Sequence, residues 1–267
     1  MSGLARYEEI IQRIRKALGR SLEGRSVIGG STQLPAAPLA GILPTIPPQE
    51  LLPRFEAELT RVAGMAHRAT NRQALEGILK TILLQTKAKN VAVSRNPLLA
   101  ELNIEPLLRA LGMKSSVWPA LGTGDDPVIG DASLRSFAEA SFAATVGITG
   151  VEFALAETGS LVVTSWTEGA QLASLAPPVH IALYRRSQLV ASLDEVLEKL
   201  SVAGPHPSVP SQVGDGGKER GDGQGPSRSV VFITGTSRTA DIEQILIHGV
   251  HGPGEVHAIL VEDTCFS

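Results

Sequence analysis

The sequence has few of the residues that build cross-links and metal clusters. Cys265 is the one cysteine among 267 residues, which excludes disulfide bonds within the chain and any Cys₄ iron–sulfur or zinc site built from this chain alone. No apolar run approaches the roughly 18 residues of a membrane-spanning helix. Arg6, Glu8 and Glu9 interrupt the first residues before they form the apolar region of a signal peptide. We therefore expect a cytoplasmic protein with no membrane span.

Neither sign of charge dominates the chain. The formal net charge is −3, and charged residues make up 19% of the sequence against 43% hydrophobic residues. No basic field is present to attract nucleic acid, and no helix-turn-helix with a basic recognition helix is found, so we expect no nucleic-acid partner. The proportion of apolar residues is ordinary for a globular protein and argues against wholesale disorder.

The composition divides the chain into three regions. Residues 1–20 have an apolar stripe at helical spacing and a basic opposite face, which predicts an amphipathic helix. Residues 21–52 are rich in proline and glycine and are predicted to be a linker. Residues 53–267 are predicted to form a single α/β domain. Its insert at 203–229 is polar and dense in glycine and proline, so we expect that insert to be disordered or mobile.

Strands and helices alternate through the third region, which favours a Rossmann-like, mostly parallel sheet flanked by helices. Apolar spacing and caps predict helices at 53–69, 70–86, 97–111, 133–140 and 192–200, and a helical turn at 151–156. Short apolar runs predict strands at 90–94, 116–118, 143–148, 161–165, 180–184, 230–233 and 256–261. A further helix is predicted after residue 239, because Ile242, Ile245 and Leu246 recur at helical spacing.

The first candidate site lies between Gly147 and Ser160, where a strand ends and glycines let the backbone turn. Glu157 is the candidate catalytic residue, since a carboxylate at this place can act as a base, a nucleophile or an acceptor for a substrate hydroxyl. Thr158 and Gly159 are predicted to bind ligand, because a Thr-Gly turn lets a ligand approach the backbone closely. The alternative is a loop carboxylate bonded to nearby N–H groups.

The second candidate site is the polar turn after the strand at 230–233. Its predicted ligand-binding residues are Thr234, Gly235, Thr236, Ser237, Arg238 and Thr239. Hydroxyls, a guanidinium and the start of a helix together suit phosphate, carboxylate or pyrophosphate. Asp241 would repel a polyanion, so it serves a ligand hydroxyl or only the helix dipole. The spacing of a Walker loop is absent, and plain helix capping by Ser237 or Thr239 is the alternative.

Histidines near these turns raise the question of a metal site. His248 falls on the outer face of the predicted helix, and the neighbouring glycines are explained as turn residues, so we predict no metal site. His251 follows the helix and is a ligand-binding candidate at the end of the sheet. His180 opens an apolar strand and is interpreted as a half-buried residue whose hydrogen bonds are satisfied.

Three segments together resemble the LUD domain, in particular the lactate utilization protein C family of bacteria. They are GITGVEFALAETGSLVVTS, PPVHI and ITGTSRTADIEQILIHGVHGP. The resemblance covers roughly residues 143–263, interrupted by the polar insert. Ser160 and Thr236 stand where family members usually have threonine and proline. No catalytic residue is carried over from the family, so the candidate sites rest on the chemistry above.

The resemblance implies a fold similar to the sugar-phosphate isomerase and CoA-transferase group (NagB/RpiA/CoA transferase-like). It also implies a cytosolic role in oxidising L-lactate to pyruvate, within a complex whose partner proteins carry the iron–sulfur clusters. This chain alone is then expected to bind no cofactor.

Two functions remain after this comparison of motifs. The first is a subunit of a lactate-oxidising complex that binds a small anionic ligand and is not a catalyst on its own. The alternative is a stand-alone enzyme of acyl, formyl or CoA transfer that uses Glu157. Both leave a homo-oligomer open.

Overall fold

The computed structural model describes residues 46–118, 131–169, 171–202, 229–240, 246–248 and 252–266. The α-helices in these ranges are α1 (Leu51–Arg61), α2 (Arg72–Gln85), α3 (Pro97–Glu101), α4 (Ile104–Ala110), α5 (Asp131–Ala143), α6 (Ser165–Glu168), α7 (Leu172–Leu175) and α8 (Leu193–Val202). None of these helices is long and apolar enough to cross a membrane. The helix predicted at 1–20, most of the linker at 21–52 and nearly all of the insert at 203–229 lie outside the described residues.

Twelve strands are described, and they form three sheets. The strands are β1 (Met65–Ala69), β2 (Asn90–Val93), β3 (Lys114–Val117), β4 (Val146–Thr149), β5 (Phe153–Leu155), β6 (Ser160–Thr164), β7 (Val179–Tyr184), β8 (Leu189–Val190), β9 (Val230–Ile233), β10 (Arg238–Ala240), β11 (Leu246–His248) and β12 (Glu255–Val261).

The main sheet has six strands in the order β1-β12-β7-β4-β2-β3. Every neighbouring pair in it runs parallel. All residues of β4 and β7 are buried, as is typical of a parallel sheet whose two faces are both covered. The predicted α/β fold with a mostly parallel sheet flanked by helices is therefore confirmed.

The two faces of the main sheet pack against different layers. On one face, apolar side chains of α2, α3 and α4 form a core that includes Leu79, Leu99 and Leu108. On the other face lie α1 and a second sheet of order β8-β5-β6-β9, joined through Phe55 and Leu161. Val196 of α8 packs on the outer side of this second sheet.

The single helix predicted at 53–69 is wrong, because the structure has α1, a turn and then β1. The turn contains Ala63, whose φ of 63° is left-handed and ends the helix. Gly64 then lies so close to α1 that a Cβ there would be 2.4 Å from Leu59 Cδ1. The apolar residues follow helical spacing only as far as Leu59, which is fully buried.

Two shorter predictions also need correction. The helix predicted at 97–111 is divided into α3 and α4 by Asn103, which has a left-handed φ of 48°. The helical turn predicted at 151–156 is strand β5, which pairs with β6 so that Leu155 lies opposite Ser160. The two errors differ in origin. The first is a left-handed residue within a helical pattern, and the second arises because apolar spacing over five or six residues fits a helix and a strand equally well.

The helix predicted after residue 239 is wrong at residues 246–248, which form strand β11. β10 and β11 form an antiparallel pair in which Arg238 lies opposite His248 and Ala240 opposite Leu246. Consecutive apolar residues at 245–247 satisfy a short strand as readily as one side of a helix. Residues 241–245 lie outside the described part of the chain.

Candidate functional site

The two predicted turns meet through a chain of hydroxyl groups. We call Thr158, Ser160 and Thr234 the hydroxyl corner. Ser160 Oγ lies 2.7 Å from Thr158 Oγ1 and 2.6 Å from Thr234 Oγ1. The antiparallel pairing of β6 with β9 brings the start of one strand to the end of the other. Ser160 is buried and Thr234 is exposed, so the hydroxyls run from the interior to the surface.

Glycine is required in both turns because each turn lies against the backbone of α1 and of the residue that follows it. Gly159 has φ +66°, and a Cβ there would lie 2.2 Å from the Leu59 nitrogen. Gly235 has φ +72°, and a Cβ there would lie 2.1 Å from the Val62 carbonyl oxygen. The positive φ and the close backbone contact both exclude a side chain. The two glycines thus hold the hydroxyl corner against the end of α1.

The outer part of the second turn is only partly described. The Ser237 backbone N–H donates to the Pro253 carbonyl at 2.8 Å. Arg238 and Thr239 lie on β10, where the structure describes their backbone alone. Asp241 and His251 lie outside the described residues. A strand follows this turn, so the helix N-terminus that the sequence predicted as part of an anion site is not there.

The Glu157 carboxylate is directed away from the hydroxyl corner. Its Oε2 accepts a hydrogen bond from the Leu193 backbone N–H at 3.2 Å, at the first residue of α8. Ser192 Oγ accepts from the Glu195 N–H at 3.4 Å in the same turn. Both interactions satisfy N–H groups that have no partner within the helix. This geometry matches the alternative in which Glu157 is bonded to nearby N–H groups, and its catalytic role stays a prediction.

A second polar cluster, which the sequence analysis missed, surrounds the Glu168 side chain at the end of α6. This carboxylate accepts hydrogen bonds from Ser94 Oγ, Asn96 Nδ2 and the Gly150 backbone N–H, the last at 3.1 Å. Glu168 is fully buried. Burial raises its pKa, and the hydrogen bonds from these donors and from Thr167 oppose that rise.

The position of this cluster follows from the sheet topology. From β2 the chain runs to β3 on one side and then to β4 on the other, so the strand order reverses at β2. Ligands of open α/β sheets bind outside the carboxyl ends of the strands at such a switch point. We call the residues at these strand ends, with the carboxylate above them, the switch-point cluster: Ser94, Arg95, Asn96, Trp118, Gly150 and Glu168.

Part of the switch-point cluster could have been found from the sequence. Ser94, Arg95 and Asn96 directly follow the apolar strand β2, and Thr149 and Gly150 end β4. Polar residues after two buried strands are the pattern that marks the ligand-binding edge. Glu168 carries no such signal, because α6 is only four residues long and its position above two distant strand ends is a tertiary property.

His180 differs from its predicted description. It is fully buried, and its Nε2 lies 2.8 Å from Thr149 Oγ1. Its Nδ1 has no hydrogen-bond partner among the described residues. Burial, and secondarily the neighbouring His257, lowers the pKa of His180 to about 3. The imidazole is therefore neutral near pH 7.

A pair of histidines lies on β1 and β12. His67 Nε2 is 2.9 Å from His257 Nδ1, and His257 Nε2 is 2.7 Å from Glu255 Oε1. Burial lowers the pKa of both imidazoles. Within the described ranges, no three side chains of His, Cys, Asp or Glu are arranged to hold a metal ion.

Known proteins resemble this chain over most of its length. The family model of the LUD domain matches residues 52–261. Lactate utilization protein C of Geobacillus thermodenitrificans is 30% identical over 266 residues, which are 96% of each chain. The protein of the same name from Geobacillus kaustophilus is 30% identical over 215 residues, 77% of each chain. A crystal structure of a DUF162 family protein from Deinococcus radiodurans aligns with 81% of this chain and 99% of that one, at 18% identity and a TM-score of 0.47. The family-model match and the two relatives together show that the chain belongs to the LUD domain family.

Proposed function

We propose that this chain is a component of a lactate utilization system that oxidises L-lactate to pyruvate together with iron–sulfur partner proteins. The observation that carries the proposal is the 30% identity, along 96% of both chains, to a protein named lactate utilization protein C. The match spans both polar clusters, because the family model runs from residue 52 to residue 261. A shared fold alone would support no function, so the proposal depends on this similarity of sequence.

The partners follow from the electrons that the reaction releases. Oxidation of a 2-hydroxy acid to a 2-oxo acid yields two electrons, which need an acceptor. An iron–sulfur cluster is held by several cysteine thiolates, and this chain has one cysteine. Cys265 is also buried, and burial raises the pKa of its thiol. Clusters that accept the electrons are therefore proposed on partner proteins.

The hydroxyl corner is the proposed site for a small anionic ligand. Hydroxyl groups rotate freely and can donate to an anion or accept from its hydroxyl. Thr234 is exposed and leads to the buried Ser160, so an approaching ligand meets a connected set of donors. Arg238 lies four residues beyond Thr234, on β10, and is proposed to add a positive charge.

The first experiment tests the proposed complex. The full chain, carrying an affinity tag, is purified from lactate-grown cells of its own host, and the eluate is analysed for iron, acid-labile sulfide and lactate-dependent dye reduction. We expect iron–sulfur proteins in the eluate and lactate oxidation only in their presence. Robust lactate oxidation by the isolated chain would contradict the proposal, as would an eluate without iron.

The second experiment tests the hydroxyl corner. In Thr234→Val the exposed hydroxyl is replaced by a methyl group of similar size, and we expect the affinity for phosphate or L-lactate to fall about tenfold. Thr81→Val is the matched control, because Thr81 is an exposed threonine on α2. Among the described residues its hydroxyl bonds only to the Gly77 carbonyl. An equal change in both variants would remove the hydroxyl corner as the ligand site.

A further inference from the structure

The switch-point cluster is held in one place by hydrogen bonds between neighbouring strand ends. The Trp118 backbone N–H, just after β3, donates to the Val93 carbonyl at 2.9 Å. The Ser94 N–H, just after β2, donates to the Ile148 carbonyl at 3.0 Å. Side chains that follow β3, β2 and β4 are therefore fixed beside one another at the carboxyl edge of the main sheet.

The indole of Trp118 has a buried N–H donor for which the described part of the chain supplies no acceptor. Its Nε1 has no hydrogen-bond partner among the described residues. Gly169, with φ +82°, lies beside it, and a Cβ there would be 2.3 Å from Nε1. Buried polar groups in native proteins are normally paired. The indole N–H can only donate, so the missing partner is an acceptor such as a ligand oxygen.

Arg95 brings a positive charge to the same edge. Arg95 is half-buried, and its backbone N–H donates to the Glu168 carbonyl at 3.2 Å. Burial lowers the pKa of Arg95 while the Glu168 carboxylate raises it, so the two charges lie within electrostatic reach of each other. An arginine in such a position is suited to bind a carboxylate.

The Glu168 carboxylate limits how much negative charge this edge accepts. Its oxygens are occupied by Ser94, Asn96 and Gly150, so it serves to position the cluster and is not free to contact a ligand. A buried negative charge repels a phosphate dianion more strongly than a singly charged carboxylate. Charge therefore favours a monocarboxylate over a phosphate dianion.

We propose that the switch-point cluster is a second ligand site, which binds a small monocarboxylate through the Arg95 guanidinium and the Trp118 indole N–H, with Glu168 as a positioning residue. The site is separate from the hydroxyl corner, which is formed by β6 and β9. The inference rests on the proposed function only for the choice of L-lactate and pyruvate as the first probes.

The binding test uses the full chain and its own fluorescence. The sequence has two tryptophans, Trp118 and Trp166. L-Lactate should change the tryptophan emission of the wild type saturably. It should not change the emission of Trp118→Phe, which keeps an aromatic ring but lacks the N–H. Calorimetry on Arg95→Gln should show affinity for L-lactate lowered at least about tenfold, since a charge-assisted hydrogen bond is lost. The neutral amide of lactic acid should not bind.

Matched controls separate binding from folding. Arg109→Gln removes an exposed guanidinium on α4 that pairs only with Glu105 among the described side chains, and it should leave lactate affinity unchanged. Glu168→Gln should lower the preference for L-lactate over phosphate about tenfold, because removing the charge relieves repulsion of the dianion. A purely structural effect of Glu168→Gln would lower both affinities equally and would remove its role in selectivity.

Two outcomes would overturn the inference. One is saturable lactate binding that Arg95→Gln and Trp118→Phe leave unchanged. The other is the absence of calorimetric binding of L-lactate, pyruvate and acetate to a folded chain that still supports lactate oxidation with its partners. That second result would leave the proposed function intact. Conversely, lactate binding that depends on Arg95 and Trp118, in a chain that brings down no iron–sulfur protein, would support the site and contradict the proposed complex.

Discussion

The two polar clusters of this protein are built in similar ways but differ in charge and burial. Each lies where loops after strands meet, and each depends on a glycine with positive φ, Gly169 in one and Gly235 in the other. The switch-point cluster surrounds a carboxylate that is fully buried. The hydroxyl corner is uncharged and opens to the surface at Thr234. Loss of a member should therefore cost much more stability in the first cluster than in the second.

The largest effect is expected for Glu168→Ala. Removing the carboxylate leaves Ser94, Asn96 and Gly150 as buried donors without an acceptor, so we expect unfolding free energy to fall by about 4 kcal/mol. Glu157→Ala is the matched control, since that carboxylate accepts from one helix N–H and its loss should cost about 0.5–1 kcal/mol. Urea denaturation measures both. Similar losses for the two variants would mean that burial does not distinguish these carboxylates.

The next largest effect is expected for Gly235→Ala. A Cβ there would lie 2.1 Å from the Val62 carbonyl oxygen and would also need φ +72°, so α1 must move and stability should fall by about 3 kcal/mol. Gly77→Ala is the control, because Gly77 lies within α2 with nothing within 4 Å of an added Cβ. There the helix should gain about 0.5–1 kcal/mol. Thermal and urea unfolding of both variants would show the opposite signs, and a stable Gly235→Ala would refute the close packing.

The sequence predicted strands best where a run of apolar residues marks them. Five of the six strands of the main sheet were anticipated. Buried apolar runs mark most of them, and β7 and β12 are the strongest cases, whereas β3 (Lys-Ser-Ser-Val) is partly exposed. β1 was missed because its residues, Met-Ala-His-Arg-Ala, include two polar side chains and continue the spacing of α1. The β10–β11 pair was missed because its strands are only three residues long.

The sequence predicted one part of the candidate site and not the rest. The contact between the Thr158 and Thr234 turns follows from two strands that each carry a polar turn, and the structure brings these turns together. The direction of Glu157 depends on where α8 begins in space, and no local pattern contains that information. The position of Glu168 above β2 and β4 depends in the same way on long-range packing.

A smaller change in unfolding free energy, of about 2 kcal/mol, is expected when the pH is lowered. The pKa of His180 is lowered from 6.5 to about 3 in the folded state, so the unfolded chain binds more protons below pH 6.5 and stability falls as pH falls. By about pH 5 this amounts to about 2 kcal/mol. His180→Gln should reduce this acid-side slope, with His67 and His257 contributing what remains.

Glu168 should change stability with pH in the opposite direction. Its pKa is raised above 4.5, so its contribution is complete below that pH and is lost as pH rises through the folded pKa. Urea unfolding as a function of pH, on His180→Gln and Glu168→Gln, separates the two slopes. An unchanged acid-side slope in His180→Gln would mean that His180 is not the neutral buried group described here.

The smallest effects on stability are expected within the hydroxyl corner. They distinguish a ligand-binding role of the corner from a structural role. Ser160 is buried and bonds to both threonines, so Ser160→Ala should cost about 1 kcal/mol. Thr234 is exposed, and water can replace its bond, so Thr234→Val should change stability by less than about 0.5 kcal/mol. A hydroxyl that contributes little to folding yet weakens anion binding when removed is a ligand-binding group. If Thr234→Val costs as much stability as Ser160→Ala in urea unfolding, the corner is a structural lock between β6 and β9, and the switch-point cluster becomes the stronger place to look for the ligand.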